Sequence, residues 1–389
     1  MRIAYLLGSL NRGGTETLLL DVFRNAAKNN LDAIGLYRKS GTLETEFSKS
    51  GIQLHKIPTG NILHYILQLR KHLTGNEIQL VHAQQPIDAL FAMLACLGTR
   101  IKLILTFHGY DFNDGKVGSW ILRFTIKRTN GNIFVSDAQR KYYQQKYRLN
   151  QDRQQVVYNG ISFDKLDNST ASATTHSRNN SADARCIQAS VSLRDEFKLA
   201  KDTLLLGSVG NFVSGRDQLT LCRFLRRLNQ QQLDFHFVFV GIRSDSSTQL
   251  FDECSIYCEQ NELLDRVSFL GSRNDVPFIL QQLDAFLYST VHDTFGIAVV
   301  EAMAVGIPVF VNDWDVMKEI TGNGKYATLY KTKDEIDLLR EFMLFLQNKD
   351  RYKAKAKEAA RFVREHFSIE KHIEELKKVY CNMINADYK

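Results

Sequence analysis

The 389-residue sequence contains no uninterrupted run of 18 apolar residues, so no segment reads as a transmembrane helix. Cysteine is scarce: Cys96, Cys186, Cys222, Cys254, Cys258 and Cys381 are scattered along the chain. Cys254 and Cys258 stand one helical turn apart, but no second cysteine or histidine pair follows them, which argues against zinc. Thiols without a paired framework exclude a disulfide-built secreted domain and fit a reduced, cytoplasmic protein. The opening MRIAYLLGSLNRGG turns polar too soon after Leu10 for a secretory leader and reads as a first strand. Acidic residues are in short supply in the first half alone. Residues 1–160 hold 21 Lys+Arg against 11 Asp+Glu, a balance of +10, whereas the remainder holds 29 against 32, or −3.

What is present is ample apolar content, 44%, in a chain long enough for two domains. Strand-like runs (RIAYLLG, DAIGLY, IQLHKIP, IQLVHA, IKLILTFHG, NIFVSD) alternate with helical segments such as GGTETLLLDVFRNAAKN, whose apolar residues recur at 18, 19, 22, 23 and 26. This alternation predicts a parallel sheet covered on both faces. It breaks at DNSTASATTHSRNNSADA (167–184), a Ser/Thr/Asn/Ala-rich linker or insertion without periodicity. It restarts with TLLLGSVG, FHFVFVG, RVSFLG and DAFLYS, followed by the segment 289–313 and three C-terminal helices. The fold class expected is α/β, two doubly wound Rossmann-like halves. Ligands of such sheets bind at the carboxyl ends of strands, and the loops there are rich in glycine and polar residues.

The segment STVHDTFGIAVVEAMAVGIPVFVND (289–313) concentrates the chemistry. A polar loop precedes a helix that Gly306 ends and Pro308 follows. The first amides of that helix, at Gly296, Ile297 and Ala298, have no partners inside it and form an anion site. Asp293 lies just before the helix and Glu301 eight residues later inside it. Two readings stand open at this point. Either Asp293 is an N-terminal cap and Glu301 an ordinary helical acid, or both touch one extended ligand whose phosphate rests on the amides.

The segment DTFGIAVVEAMAVGIPV resembles the second-domain signature of family 4 glycosyltransferases of the GT-B fold, Glu-x7-Glu followed by EAMAxGxPV, with Asp293 in place of the first Glu. Further stretches match in order: GSLNRGGTET, TFHGYDF, VVYNGISFD, SVGNFVSGRDQL and the last helix ending LKKVYCNMI. The resemblance spans the whole chain. It implies a GT-B molecule with two Rossmann-like domains facing a central cleft. Residues 1–165 would bind the acceptor, 166–200 would form the linker or insertion, and 201–368 would bind a nucleotide sugar. The helix 369–389 would pack back on the first domain. It also implies a retaining, metal-independent reaction without cofactor, in which a nucleoside-diphosphate sugar gives its sugar to a saccharide or lipid-linked saccharide during bacterial surface polysaccharide synthesis.

By the same resemblance His108, Asp293 and Glu301 are the catalytic residues. Gly13 and Gly14, which let the backbone approach donor or acceptor, and Asn211, Arg216, Arg243, Arg273, Phe295, Gly296, Ile297 and Ala298 line the donor site, and Asp111 stands behind the site or contacts the acceptor; His82, in HAQQP, could offer a base but is read as shaping the acceptor cleft. The family's phosphate-binding Arg is Asn211 here and its Lys is Arg216, so one cation is lost and one kept, with Arg243 or Arg273 as candidates to compensate. DWD (Asp313–Asp315) looks like the metal motif of another transferase fold but follows a strand of a doubly wound half, and is read as a chance match. Arg123, Lys127, Arg128, Arg140, Lys141, Lys146 and Arg148, interleaved with Tyr142, Tyr143 and Tyr147, are either a solvated helix face or a surface for anionic lipid. The expected location is cytoplasmic and peripheral on the inner membrane face, with no nucleic-acid partner. A nucleotide-sugar epimerase on the same fold, and a non-catalytic subunit supporting another transferase, are the alternatives.

Overall fold

The structure, a computed structural model, describes residues 1–112, 115–164, 166, 192–243 and 248–385. Most of the expected linker, 167–191, lies outside the described residues. The chain forms two compact units, Met1–Ile161 with Phe367–Lys389, and Ser162–His366.

The first unit is built on seven strands: β1 (Arg2–Ser9), β2 (Asp32–Lys39), β3 (Gln53–Lys56), β4 (Leu80–Ala83), β5 (Lys102–Phe107), β6 (Gly131–Phe134) and β7 (Gln154–Val156). They pair in the order β3-β2-β1-β4-β5-β6-β7, every pair parallel. Ile3–Leu7 are buried along β1, as a strand covered on both faces requires. The helices Gly14–Ala26, Glu44–Ser48 and Ile369–Asn385 contribute to one core. The helices Ile62–Gly75, Pro86–Ala95, Lys116–Ile126 and Asp137–Tyr147 contribute to the other.

The last helix belongs to this unit although it ends the chain. Ile369, Ile373, Leu376 and Tyr380 recur at helical spacing and are buried in the first core. Ile161 and Phe367–Ile369 are stitched by backbone hydrogen bonds of 2.9 and 3.0 Å. Gly160 permits this approach: a Cβ there would stand 2.7 Å from Ile369 Cα and 2.8 Å from Ser368 O.

The second unit repeats the plan with β8 (Leu204–Val209), β9 (Phe235–Val240), β10 (Val267–Phe269), β11 (Ala285–Tyr288), β12 (Val309–Asn312) and β13 (Thr328–Tyr330), in the parallel order β10-β9-β8-β11-β12-β13. Strand β13 was not anticipated: three residues are too few to display a period. Cys222, Cys254 and Cys258 are free thiols buried in the core of this unit. In both sheets the strand order reverses beside the first strand, between β1 and β4 and between β8 and β11. That is where a doubly wound sheet opens a crevice at its carboxyl edge.

Candidate active site

The loops leaving β8 and β11 diverge from adjacent strands and are then zipped together. Val291 N donates to Gly215 O at 2.9 Å, Thr290 Oγ1 to the same carbonyl at 2.7 Å, and Asp217 N to Ser289 O at 3.2 Å. Ser289 Oγ adds a hydrogen bond of 2.8 Å to Asp217 Oδ2. The close approach needs Gly215, whose φ is +97° and whose missing Cβ would stand 2.2 Å from His292 Cε1. This zipper brings Arg216, from the first loop, to Asp293, from the second.

Asp293 is engaged through both oxygens. Oδ1 accepts from Thr294 N at 2.7 Å and Phe295 N at 3.2 Å. Oδ2 accepts from the Tyr288 hydroxyl and lies 3.5 Å from Arg216 Nη1. The guanidinium of Arg216 stands 4.4 Å from the Tyr288 ring centroid. Nη1 is buried and makes no hydrogen bond among the described residues. An unsatisfied buried donor costs about 1–3 kcal/mol, and an arriving anion would remove that cost. Burial works against the charge of Arg216, and Asp293 offsets part of this. Asp293 therefore holds loop amides ahead of the helix rather than capping it, the N-cap being Gly296 without a side-chain hydrogen bond, and it faces the cation of the neighbouring loop.

The helix Ile297–Val305 begins just after Gly296, which adopts the left-handed conformation with φ +80°. Its first hydrogen bonds run from Val299 and Val300 to Gly296 O, so the amides of Ile297 and Ala298 precede the intrahelical ladder. Phe295 is buried, and Glu301 is the fifth residue of the helix and partly buried. The other donor-side candidates are committed elsewhere. Asn211 is exposed and its Oδ1 accepts from Ile242 N at 3.1 Å. Arg243 forms a two-pronged pair with Asp252 at 3.0 and 2.8 Å. Arg273 does the same with Asp275 at 2.8 Å, and lies 3.6 Å from Glu196. Either would have to exchange a carboxylate to reach phosphate. In DWD the acids part: Asp313 accepts from Thr332 N and Oγ1 at 2.9 and 2.8 Å, while Asp315 is exposed beside Lys318. No group of metal-ligating side chains occurs among the described residues.

In the first unit, Gly13 caps the helix Gly14–Ala26 in an extended conformation, and a Cβ on it would meet Glu16 Oε2 at 2.6 Å. His108 follows β5, and its Nε2 bonds Gln84 Oε1 at 2.8 Å. Burial, with His372 nearby, pulls its pKa down to about 3, so the ring is neutral at physiological pH. His82, expected in a loop facing the acceptor, instead lies inside β4. Its Nδ1 bonds the Tyr380 hydroxyl at 2.7 Å and its Nε2 bonds Thr106 Oγ1 at 2.5 Å. With both nitrogens occupied and the ring buried, it ties the last helix to the sheet. Asp111 is likewise enclosed, accepting from Tyr142 at 2.7 Å, from Tyr147, and from Lys146 at 2.8 Å.

The basic cluster divides. Arg140 and Lys141 are paired with Asp137, and Lys146 with Asp111. Tyr143 and Tyr147 are buried. Lys116, Arg123, Lys127 and Arg128 stay exposed on or beside the helix Lys116–Ile126. On that helix Val117 and Trp120 are 72% and 59% exposed, with Phe112 exposed just before it. Nothing in the cation pattern signalled this apolar face. Tyr288, too, was missed, because a tyrosine at the end of a buried strand looks like core.

Two sequence-family descriptions match the chain: "Glycosyltransferase Family 4" over residues 12–165 and "Glycosyl transferases group 1" over residues 192–362. Among curated proteins, an Escherichia coli UDP-Gal:alpha-D-GlcNAc-diphosphoundecaprenol alpha-1,3-galactosyltransferase is 20% identical over 388 residues, covering 95% of this chain and 94% of its own. The O-antigen biosynthesis glycosyltransferase WclY of Escherichia coli is 21% identical over 332 residues, 82% of each chain. Among solved structures, Anabaena HepE in complex with UDP and glucose superposes with a TM-score of 0.82 at 17% identity, covering 98% of this chain and 100% of the other.

Proposed function

The chain belongs to the family 4 glycosyltransferases of the GT-B fold, and we propose that it moves a hexose from a nucleoside-diphosphate sugar to a saccharide or lipid-linked saccharide, with retention and without a metal. One observation carries this reading: the β8 and β11 loops are zipped so that Arg216 meets Asp293 directly before a helix whose first amides, at Ile297 and Ala298, precede its hydrogen-bond ladder. Breaking the anomeric bond leaves negative charge on the diphosphate. Arg216 and the amides of Ile297 and Ala298 stabilise that charge with groups already in place. Asp293 and Glu301 hold the sugar and ribose hydroxyls. His108, neutral, is the first unit's candidate for steadying positive charge on a sugar. The leaving phosphate oxygen takes the acceptor's proton on the same face, so no separate base is required.

The acceptor side is assigned to the first unit, and the partner surface to an anionic bilayer. Support comes from the distribution of charge: residues 59–149 hold 12 Lys+Arg against 5 Asp+Glu. Arg123, Lys127 and Arg128 are exposed, form no ion pair among the described residues, and lie near exposed Val117 and Trp120 in the chain. The relatives' names, which include a diphosphoundecaprenol acceptor and O-antigen synthesis, point the same way.

The test is to incubate the protein with UDP-, GDP-, ADP- and dTDP-sugars, with and without lipid-diphosphate saccharide acceptors, and to follow nucleoside diphosphate release and product by mass. Acceptor-dependent transfer of the α-linked sugar that survives EDTA is expected. A changed sugar without acceptor would indicate an epimerase, and donor binding with no turnover a supporting subunit. Activity lost to EDTA and restored by Mn²⁺ would overturn metal independence.

A further inference from the structure

Two groups in the donor loops share one side chain that the sequence motif does not include. Tyr288 is the last residue of β11, 1% exposed, with Phe286 as a ring neighbour at 6.2 Å. Its position is fixed by the sheet: β11 pairs β12 through Tyr288 and Val311, and Tyr330 donates to Tyr288 O at 2.8 Å. From that fixed base the side chain does two separate things. Its ring face receives the guanidinium of Arg216 at 4.4 Å, and its hydroxyl donates to Asp293 Oδ2. The guanidinium also packs against Gly210, where a Cβ would stand 3.0 Å from Cζ and from Nη2 and where φ is +152°. The cation is therefore held by a ring and a bare backbone, with a loose ion pair of 3.5 Å and no hydrogen bond at Nη1. Such support fixes where the guanidinium plane lies while leaving its donors uncommitted, which is what a diphosphate clamp requires.

We infer that Tyr288 is a positioning residue for both halves of the donor site, its ring presenting Arg216 to the diphosphate and its hydroxyl holding Asp293 for the sugar. The inference rests on the donor-site reading given above. When Arg216 turns to a diphosphate, Asp293 Oδ2 loses its cation but keeps the tyrosine. The carboxylate then stays where the loop amides and the hydroxyl set it, with its remaining lone pair turned over to a sugar hydroxyl. Without the hydroxyl, Asp293 would follow Arg216. The two jobs depend on different atoms, so they separate under substitution. Cation–π contacts of this kind contribute modestly in the open and more when desolvated, and the hydroxyl contributes to the sugar half alone.

The experiment compares Tyr288→Phe, Tyr288→Leu and Arg216→Ala. UDP, GDP and ADP are titrated by calorimetry, and turnover is followed as release of the nucleoside diphosphate from the matching sugar nucleotide. Melting temperatures report folding. Tyr288→Phe should bind the preferred nucleoside diphosphate within twofold of wild type while turnover falls at least tenfold. Tyr288→Leu should weaken that nucleotide at least fivefold as well. If Arg216→Ala binds the nucleotide as tightly as wild type, the donor-site reading fails. If Arg216→Ala weakens binding but Tyr288→Phe turns over normally, or the Phe and Leu variants behave alike, the inference about Tyr288 fails while that reading stands. Because Phe preserves the ring, it decides the matter even if Leu does not fold.

Discussion

Asp293 shows how one residue can satisfy a bland and a chemical description at once. Its first oxygen holds the loop amides of Thr294 and Phe295, and its second faces Tyr288 and Arg216. The first contact was available to any short polar residue; the second contact exists only because β8 and β11 are neighbours. Glu301 lies inside the helix, partly buried. Glu301→Ala should lower kcat/KM by more than tenfold, a loss above about 1.4 kcal/mol in transition-state stabilisation, while the protein stays folded. Steady-state kinetics with a saturating acceptor check this, and a variant retaining more than a tenth of wild-type efficiency would remove Glu301 from the site.

At the scale of elements, the helix Lys116–Ile126 carries a prediction of its own. Its inner residues Leu122, Thr125 and Ile126 are buried. Its outer face shows Val117 and Trp120 beside Lys116, Arg123, Lys127 and Arg128. Trp120 stacks on Phe124 at 5.4 Å, and Arg128 lies 4.0 Å over the same Phe124 ring. Apolar side chains among cations suit the boundary of an anionic bilayer, where each well-placed cation contributes about 1 kcal/mol. Vesicles with phosphatidylglycerol should co-float with the protein at low salt and shift its tryptophan emission to the blue, and neutral vesicles should do neither. Changing Arg123, Lys127 and Arg128 to Ser should abolish flotation, and Trp120→Ser should remove the shift. Changing Arg140 and Lys141, which are paired with Asp137, should have little effect. Flotation that ignores the first three residues would return the helix to ordinary solvated surface.

For the whole molecule, the consequential feature is that the chain enters the first unit, leaves it at Ile161 and returns at Phe367. The returning helix contributes Ile369, Ile373, Leu376, Val379 and Tyr380 to the core of that unit. Tyr380 also joins Tyr5 at 2.8 Å and His82 at 2.7 Å in a buried chain of hydrogen bonds. Buried apolar side chains of this size each contribute roughly 1.5–3 kcal/mol, and the polar chain would lose a partner. A chain ending at His366 should therefore expose its first core, bind a hydrophobic dye and unfold the first unit at lower urea than full-length protein. Hydrogen exchange would localise the loss: protection should fall in β1, β4 and the helix Gly14–Ala26, and remain in β8–β13. Equal protection throughout would mean that the last helix is dispensable.

The alternation of apolar runs with amphipathic segments specified two parallel sheets with helices on both faces, because the period of side-chain burial is a local property of the chain. The glycines of 289–313 marked the start and stop of the helix Ile297–Val305 for the same reason: caps, helix starts and stops are written within a few residues. The short strand β13 escaped, having too few residues to show any period. What only the tertiary structure decided were contacts between residues far apart in sequence. His82 reads as a loop histidine until β4, β5 and the last helix enclose it. Arg140, Lys141 and Lys146 read as free charge until Asp137 and Asp111 are found beside them. Tyr288 reads as core until Arg216, 72 positions earlier, lies across its ring. Pairing of strands sets those neighbours, and no local pattern encodes which distant side chain will face which.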